Sequence, residues 1–263
     1  MNSRMFTVIT AVTAVFAAAA ELRIDARGAT DSARQIMVEA QRRSESKSER
    51  YEGLLQTFED TNAKSSEKKW ILERLGSFGQ SKSVIRFIAP AEVKGVALLM
   101  VNHPDRASDQ WMWTPAIERD RRIALQDRST RFFGTDFSFE DLEERDVDQF
   151  EYASQGEQKV DGAMCWKIRS TPKEKKSSQY TNSLVWIRQD NYATARLELY
   201  VKDQAVRRLD YRNIRNVDGI WTAQEMTMSD LRRYSRTRLT LDKIEYNVPI
   251  DEGRFTLQAL RTQ

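Results

Sequence analysis

The imidazole of His103, in Asn102-His103-Pro104-Asp105, and the thiol of Cys165, in Ala163-Met-Cys-Trp-Lys-Ile168, are each the sole residue of their type among 263. A serine or cysteine nucleophile needs a base beside it, and a zinc or haem site needs several imidazoles or thiolates, so neither chemistry assembles here. One Cys closes no intramolecular disulfide, and the chain contains no G-x-S-x-G elbow and no D-x-[DN]-x-[DN]-G calcium loop. Acid and base work by paired carboxylates is the remaining option, with Asp136 beside Glu140 or Asp141 as the candidates. Helix capping explains them more simply, because Ser138-Phe-Glu-Asp141 is a capping box ahead of Leu142. No catalytic residue, metal or cofactor is assigned, and the chain reads as a non-enzyme. A lipid-modifying enzyme would need His103 or Asp136 to act.

The elements around these residues begin with an asymmetric N-terminus. Arg4 precedes an uncharged run over residues 5–20, MFTVITAVTAVFAAAA, which ends in the small-residue pattern that a signal peptidase reads. Residues 1–20 are therefore a cleavable signal peptide, since the run falls short of the ~20 apolar residues that span a bilayer. A bacterial lipoprotein carries its lipid on a Cys directly after the cleavage site, and Cys165 is far from it. The mature chain is expected free in the periplasm. Cleavage leaves 41 basic against 39 acidic side chains, a balance that gives no reason to expect a nucleic acid partner.

After a polar joint at 21–30, Ala33, Ile36, Met37 and Ala40 follow helical spacing behind Asp31 as a cap, and predict one amphipathic helix over 31–43. From about Tyr51 the pattern changes to short β-branched and aromatic runs. Strands are predicted at 50–60, 67–76, 82–88, 95–101, 109–114, 120–125, 149–154, 158–170, 180–188, 193–202, 205–215, 219–229 and 234–246. Turn residues at Asp161-Gly162, Gln189-Asp190-Asn191, Lys202-Asp203 and Asp218-Gly219 suit antiparallel hairpins. No βαβ spacing occurs. So many strands are too many for a flat sheet, and the fold class is mainly β: a single strongly curved antiparallel sheet, an incomplete barrel, with an N-terminal helix and short lid helices. Pro90-Ala-Glu-Val93 and residues 138–145 supply the short helices, and the aromatic stretch Phe132–Phe137 is placed to close one side of the sheet.

Basic segments at Arg119–Arg122, Arg207-Arg208 and Arg232–Arg238 are expected mainly on solvent faces, with a rim attracting anionic headgroups as the functional alternative. Large apolar residues concentrate in the N-terminal half. Few helices are available to cover so wide a sheet, which predicts an apolar cavity. Trp70, Leu72, Phe87, Leu98, Met100, Trp111, Trp113, Phe133 and Phe137 are its expected lining.

Four ordered blocks then resemble the outer-membrane lipoprotein-sorting family of LolA-like periplasmic carriers: Phe87-Ile-Ala-Pro-Ala-Glu-Val-Lys-Gly95, Trp111-Met-Trp-Thr-Pro-Ala116, Arg121-Arg-Ile123 and Phe132-Phe-Gly-Thr-Asp-Phe-Ser-Phe-Glu-Asp-Leu142. Weaker similarity runs to Phe255-Thr-Leu257. Phe133, Thr135 and Phe139 stand where that family usually has Met, Ser and Tyr. The resemblance implies an unclosed LolA/LolB-like barrel over residues 31–263, with helices as a lid on a cavity that accepts acyl chains, and a carrier that must also release them is expected to offer few hydrogen-bonding anchors. It implies a soluble, monomeric periplasmic chaperone that shelters the acyl chains of a lipid or lipoprotein for delivery towards the outer membrane. The alternative is an accessory subunit that docks on an inner-membrane transporter, an RND-type lipid exporter, without carrying cargo itself.

Overall fold

Alternation of apolar and polar residues from Ser48 onward gives, among the described residues, thirteen antiparallel strands of one sheet. The computed structural model describes residues 32–59, 63–174 and 178–262, so the signal peptide, the polar joint and the Asp31 cap fall outside the described residues. The first meander comprises β1 (Ser48–Phe58), β2 (Lys64–Leu75), β3 (Lys82–Ala89), β4 (Ala97–Val101), β5 (Asp109–Thr114) and β6 (Arg119–Arg122). The second comprises β7 (Phe150–Val160), β8 (Ala163–Pro172), β9 (Asn182–Arg188), β10 (Thr194–Val201), β11 (Gln204–Val217), β12 (Ile220–Asp230) and β13 (Ser235–Tyr246). Their order is β6-β5-β4-β3-β2-β1-β13-β12-β11-β10-β9-β8-β7, so the meanders join through the β1·β13 ladder. The edges β6 and β7 do not pair, and the barrel is not closed.

Hairpin chemistry explains most of these boundaries. Asp161-Gly162 and Asp218-Gly219 both have positive φ at two successive residues, 44° and 88° in the first and 50° and 92° in the second. That is the backbone of a tight hairpin turn whose twist matches its strands. The sequence reading divided residues 149–170 differently, with a break before 158. Gln155-Gly156 is instead an irregularity inside β7, where the register slips between Ser154 and Glu157, and the Asp161 turn makes the division.

The predicted first helix forms as α1, residues 32–44. The short helix expected at 138–145 contracts to a single 3-10 turn, Glu140–Leu142. Its capping box does form, with the Ser138 amide donating to the Asp141 carboxylate at 2.7 Å. Beyond Leu142, consecutive side chains bond to separate strands of the sheet, and the backbone leaves the helical path. A C-terminal helix, α2 (Leu257–Thr262), was not evident from the sequence.

Strand alternation sorts the core into two faces. On β4, Leu98 and Met100 face inward while Ala97 and Leu99 face outward, where they meet Phe255 and Leu260 of the C-terminal segment. On β9, Val185 and Ile187 face inward and Leu184 and Trp186 outward, with Cys165. The inner face carries α1, through Ala33, Ile36, Met37 and Ala40, and the long crossover from β6 to β7.

Candidate functional site

The crossover covers the two halves of the inner face differently. In the N-terminal half it fills the space with rings: Phe132 stacks on Phe87 at 5.6 Å, and Phe133 and Phe139 lie edge-on to Phe132 at 5.2 and 5.7 Å. Offset and edge contacts of this kind add about 0.5–1.5 kcal/mol each beyond burial. Trp70, Phe87, Leu98 and Met100 are buried in this cluster, with Leu72 and Phe133 packed against it. The result is a closed core.

In the C-terminal half the crossover runs as a strap above the sheet. Asp141 pairs with Arg207 of β11 and accepts the Tyr180 hydroxyl at 2.7 Å. Glu143 accepts from Arg128 at 2.7 Å and from Gln110 of β5. Glu144 pairs with Arg74 of β2, and Arg145 donates to Ser183 Oγ of β9 at 3.0 Å. Four of the five residues from Asp141 to Arg145 thus reach strands of both meanders. Farther back, Asp136 is held by Arg131 at 2.6 Å and Thr237 at 2.7 Å, which accounts for its buried charge and removes it as a free acid.

Beneath the strap and α1 lies a cavity of about 440 Å³. Its walls reach from Arg74 on β2 to Tyr152 on β7, eight strands away in the sheet order. In a flat sheet, eight steps of ~4.8 Å would separate those strands by roughly 38 Å, so a shared wall requires the sheet to curl strongly. Met37 and Ala40 form the roof; Val185, Ile187, Leu197, Leu199 and Leu209 form the apolar floor, and Met226, Met228 and Leu241 close one side.

Six tyrosines also line it, namely Tyr51, Tyr152, Tyr180, Tyr192, Tyr211 and Tyr246, so the wall is more polar than the expectation of few anchors allowed. Most of that polarity is internally satisfied. Tyr51 donates to Glu49 at 2.7 Å and lies 2.9 Å from the Tyr246 hydroxyl, which is 2.6 Å from Thr222 Oγ1; Arg74 donates to Glu49 at 2.9 Å. Burial pushes the Glu49 carboxyl above its ordinary range, against the pull of Arg74. Burial also raises the Tyr51, Tyr152, Tyr180 and Tyr246 hydroxyls, and Tyr211 is pushed up to about 12.

None of the nine residues nominated from the sequence lines this cavity. Six of them, Trp70, Leu72, Phe87, Leu98, Met100 and Phe133, come together in the closed aromatic core. Trp111 and Trp113 pack on the outer face near Leu260, and Phe137 packs in the inner core that includes Ala33 of α1. The sequence signal for the cavity is the i, i+2 apolar pairs of β9 to β12, Val185 with Ile187, Leu197 with Leu199 and Met226 with Met228 among them. Other nominated groups are accounted for individually. His103 Nε2 is 3.0 Å from Asp109, whose carboxylate also accepts from Arg106 and is held well below its usual range by Arg106, against burial, and by Arg122. Cys165 is fully buried. Arg207 departs from the expectation of a solvent-facing basic segment, because it is buried against Asp141.

Comparison with known proteins supports this architecture. Residues 79–262 match a family model described as an uncharacterized protein. A solved domain of Vibrio parahaemolyticus, assigned by its name to outer membrane lipoprotein sorting, is 25% identical with a TM-score of 0.82, over 88% of this chain and 99% of that one. A DUF1329 family protein of Desulfovibrio piger is 27% identical with a TM-score of 0.83, over the same shares, 88% and 99%. A LolA superfamily protein of Nitrosomonas europaea, 18% identical with a TM-score of 0.66 over 89% of this chain and 98% of that one, shares the fold. Comparison with curated proteins finds no match. With more than half of its length inside the family model, this chain, which has a LolA-like fold, belongs to the family of uncharacterized proteins that the model describes.

Proposed function

We propose that this chain is an exported, non-enzymatic carrier that shelters an acyl chain of a lipid or lipoprotein in the cavity beneath α1 and the strap. The observation that carries the reading is the cavity itself. It is roofed by the structure's own elements, has an aliphatic floor, and at about 440 Å³ lies within the ~300–1,000 Å³ range of small-molecule sites. At about 30 Å³ for a water-sized group, it accommodates on the order of fifteen such groups, which corresponds to one acyl chain rather than a whole diacyl lipid. A buried methylene contributes ~0.8 kcal/mol, so fifteen sheltered methylenes contribute on the order of 12 kcal/mol. Free lipid in a periplasm is correspondingly rare, and a carrier must hold it less tightly than its destination does.

Sorting of outer-membrane lipoproteins, the role in the name of the Vibrio relative, agrees with this reading. We infer a periplasmic monomer that takes up and releases cargo on contact with membrane partners, among them an inner-membrane transporter. The alternative of a docking subunit without cargo calls for an interior filled by the protein's own side chains. The N-terminal half meets that condition, but the roofed cavity of the C-terminal half favours the carrier.

The test is organic extraction of the protein purified from its native envelope, followed by mass spectrometry. A co-purifying acyl lipid is expected. Absence of lipid, together with no acyl-probe uptake by the delipidated protein, would sink the proposal.

A further inference from the structure

A polar pocket of about 310 Å³ adjoins the apolar cavity and shares Glu140, Glu143 and Arg145 with it. The two compartments meet at the strap, one suited to hydrocarbon and the other to a hydrated group. The charges at this junction differ in how fully they are used. Glu143 is taken by Arg128 and Gln110, and Glu140 accepts from Ser178 and from the Gln179 amide at 3.0 Å. Arg145 differs. Among the described residues it makes no ion pair; it donates to Ser183 Oγ at 3.0 Å and lies 4.5 Å from the centre of the Phe150 ring.

A half-buried guanidinium with five N–H donors retains capacity after one hydroxyl and one ring face. The neighbouring acids do not use it: Asp141 is bound to Arg207, and Asp146 accepts from the Asp148 amide. On the cavity side the Tyr211 hydroxyl makes no hydrogen bond among the described residues. Arg145, Tyr152 and Tyr211 all line the apolar cavity.

We propose that Arg145, assisted by the Tyr211 hydroxyl, anchors the anionic end of a single-chain amphiphile whose tail lies in the apolar cavity and whose head faces the polar pocket. The ligand class is a carboxylate or phosphate on one acyl chain, both of which present oxygens that a guanidinium fork engages. The inference rests on the carrier reading and adds to it a preference for charge at one end.

The experiment uses delipidated full-length mature protein titrated with brominated palmitate, its methyl ester and brominated hexadecyl phosphate, read by quenching of tryptophan fluorescence. An ion-assisted hydrogen bond implies that wild type binds an anion more tightly than the ester by roughly 10- to 100-fold. Arg145→Gln should erase that preference by weakening the anions far more than the ester, Arg145→Lys should keep part of it, and Tyr211→Phe should reduce it. Preference for palmitate over the phosphate, or the reverse, identifies which end group the site takes. Equal binding of ester and both anions by wild type, or an unchanged preference in Arg145→Gln, overturns the anchor and leaves the carrier standing. Failure of all three probes to bind overturns both.

Discussion

Arg207 on β11 and Asp141 on the crossover form an ion pair whose side chains are 4% and 3% exposed, and Tyr180 bonds to both. This pair fixes the strap over the half of the sheet that contains the cavity. Removing one partner leaves the other charge buried alone, so Arg207→Ala should destabilise the fold by about 3–5 kcal/mol. Urea denaturation measures this. The double variant Arg207→Met with Asp141→Leu should recover part of the loss, which gives the pair a positive coupling in the cycle.

Gly53 sits in β1 where the register slips against β13, and a Cβ there would run into the Thr240 carbonyl oxygen. Backbone cannot retreat as a flexible side chain would. Gly53→Ala should therefore cost at least the ~1–3 kcal/mol of an overpacked core site, and it should do so at the ladder joining the two meanders. Hydrogen exchange of β1 and β13 amides, compared with those of β8 and β9, should show the loss concentrated at the seam.

Alkaline pH should weaken the protein through its cavity tyrosines. Burial raises the Tyr51, Tyr152, Tyr180 and Tyr246 hydroxyls above the unfolded value near 10, and Tyr211 to about 12. A raised pKa means the folded state keeps a proton that the unfolded chain releases, so its contribution is complete below pH 10 and is lost as pH climbs to the folded value. Over that window each such tyrosine subtracts about 1.4 kcal/mol per pH unit. Denaturation midpoints from pH 9 to 12 should fall, and Tyr211→Phe should flatten the slope.

The sheet was legible in the sequence because hairpin turns and period-two alternation are local signals. Ala33, Ile36, Met37 and Ala40 likewise announced α1 by their spacing, and all four meet the inner core. The nominated lining residues pack away from the cavity for a physical reason. Aromatic density in β2 to β5 suggested excess apolar area, but Phe132, Phe133 and Phe139 of the crossover fill it. Which residues a long crossover brings to a sheet depends on its path, and that path is set by pairings such as Asp141 with Arg207, 66 residues apart. Nothing in the local pattern marked Arg207 as buried.

The proposed acyl site lies under α1 and not among the aromatic residues of the N-terminal half. Ala40→Trp puts a large side chain into the roof of the cavity, while Leu98→Ala opens the closed core at a cost of about 2–5 kcal/mol. The direct measurement is the affinity of the delipidated protein for a fluorescent acyl probe in wild type and in these two variants, each first checked for folding by circular dichroism. A carrier with its site under α1 loses binding in Ala40→Trp and keeps it in Leu98→Ala. Binding that survives Ala40→Trp and is lost in folded Leu98→Ala would contradict this placement.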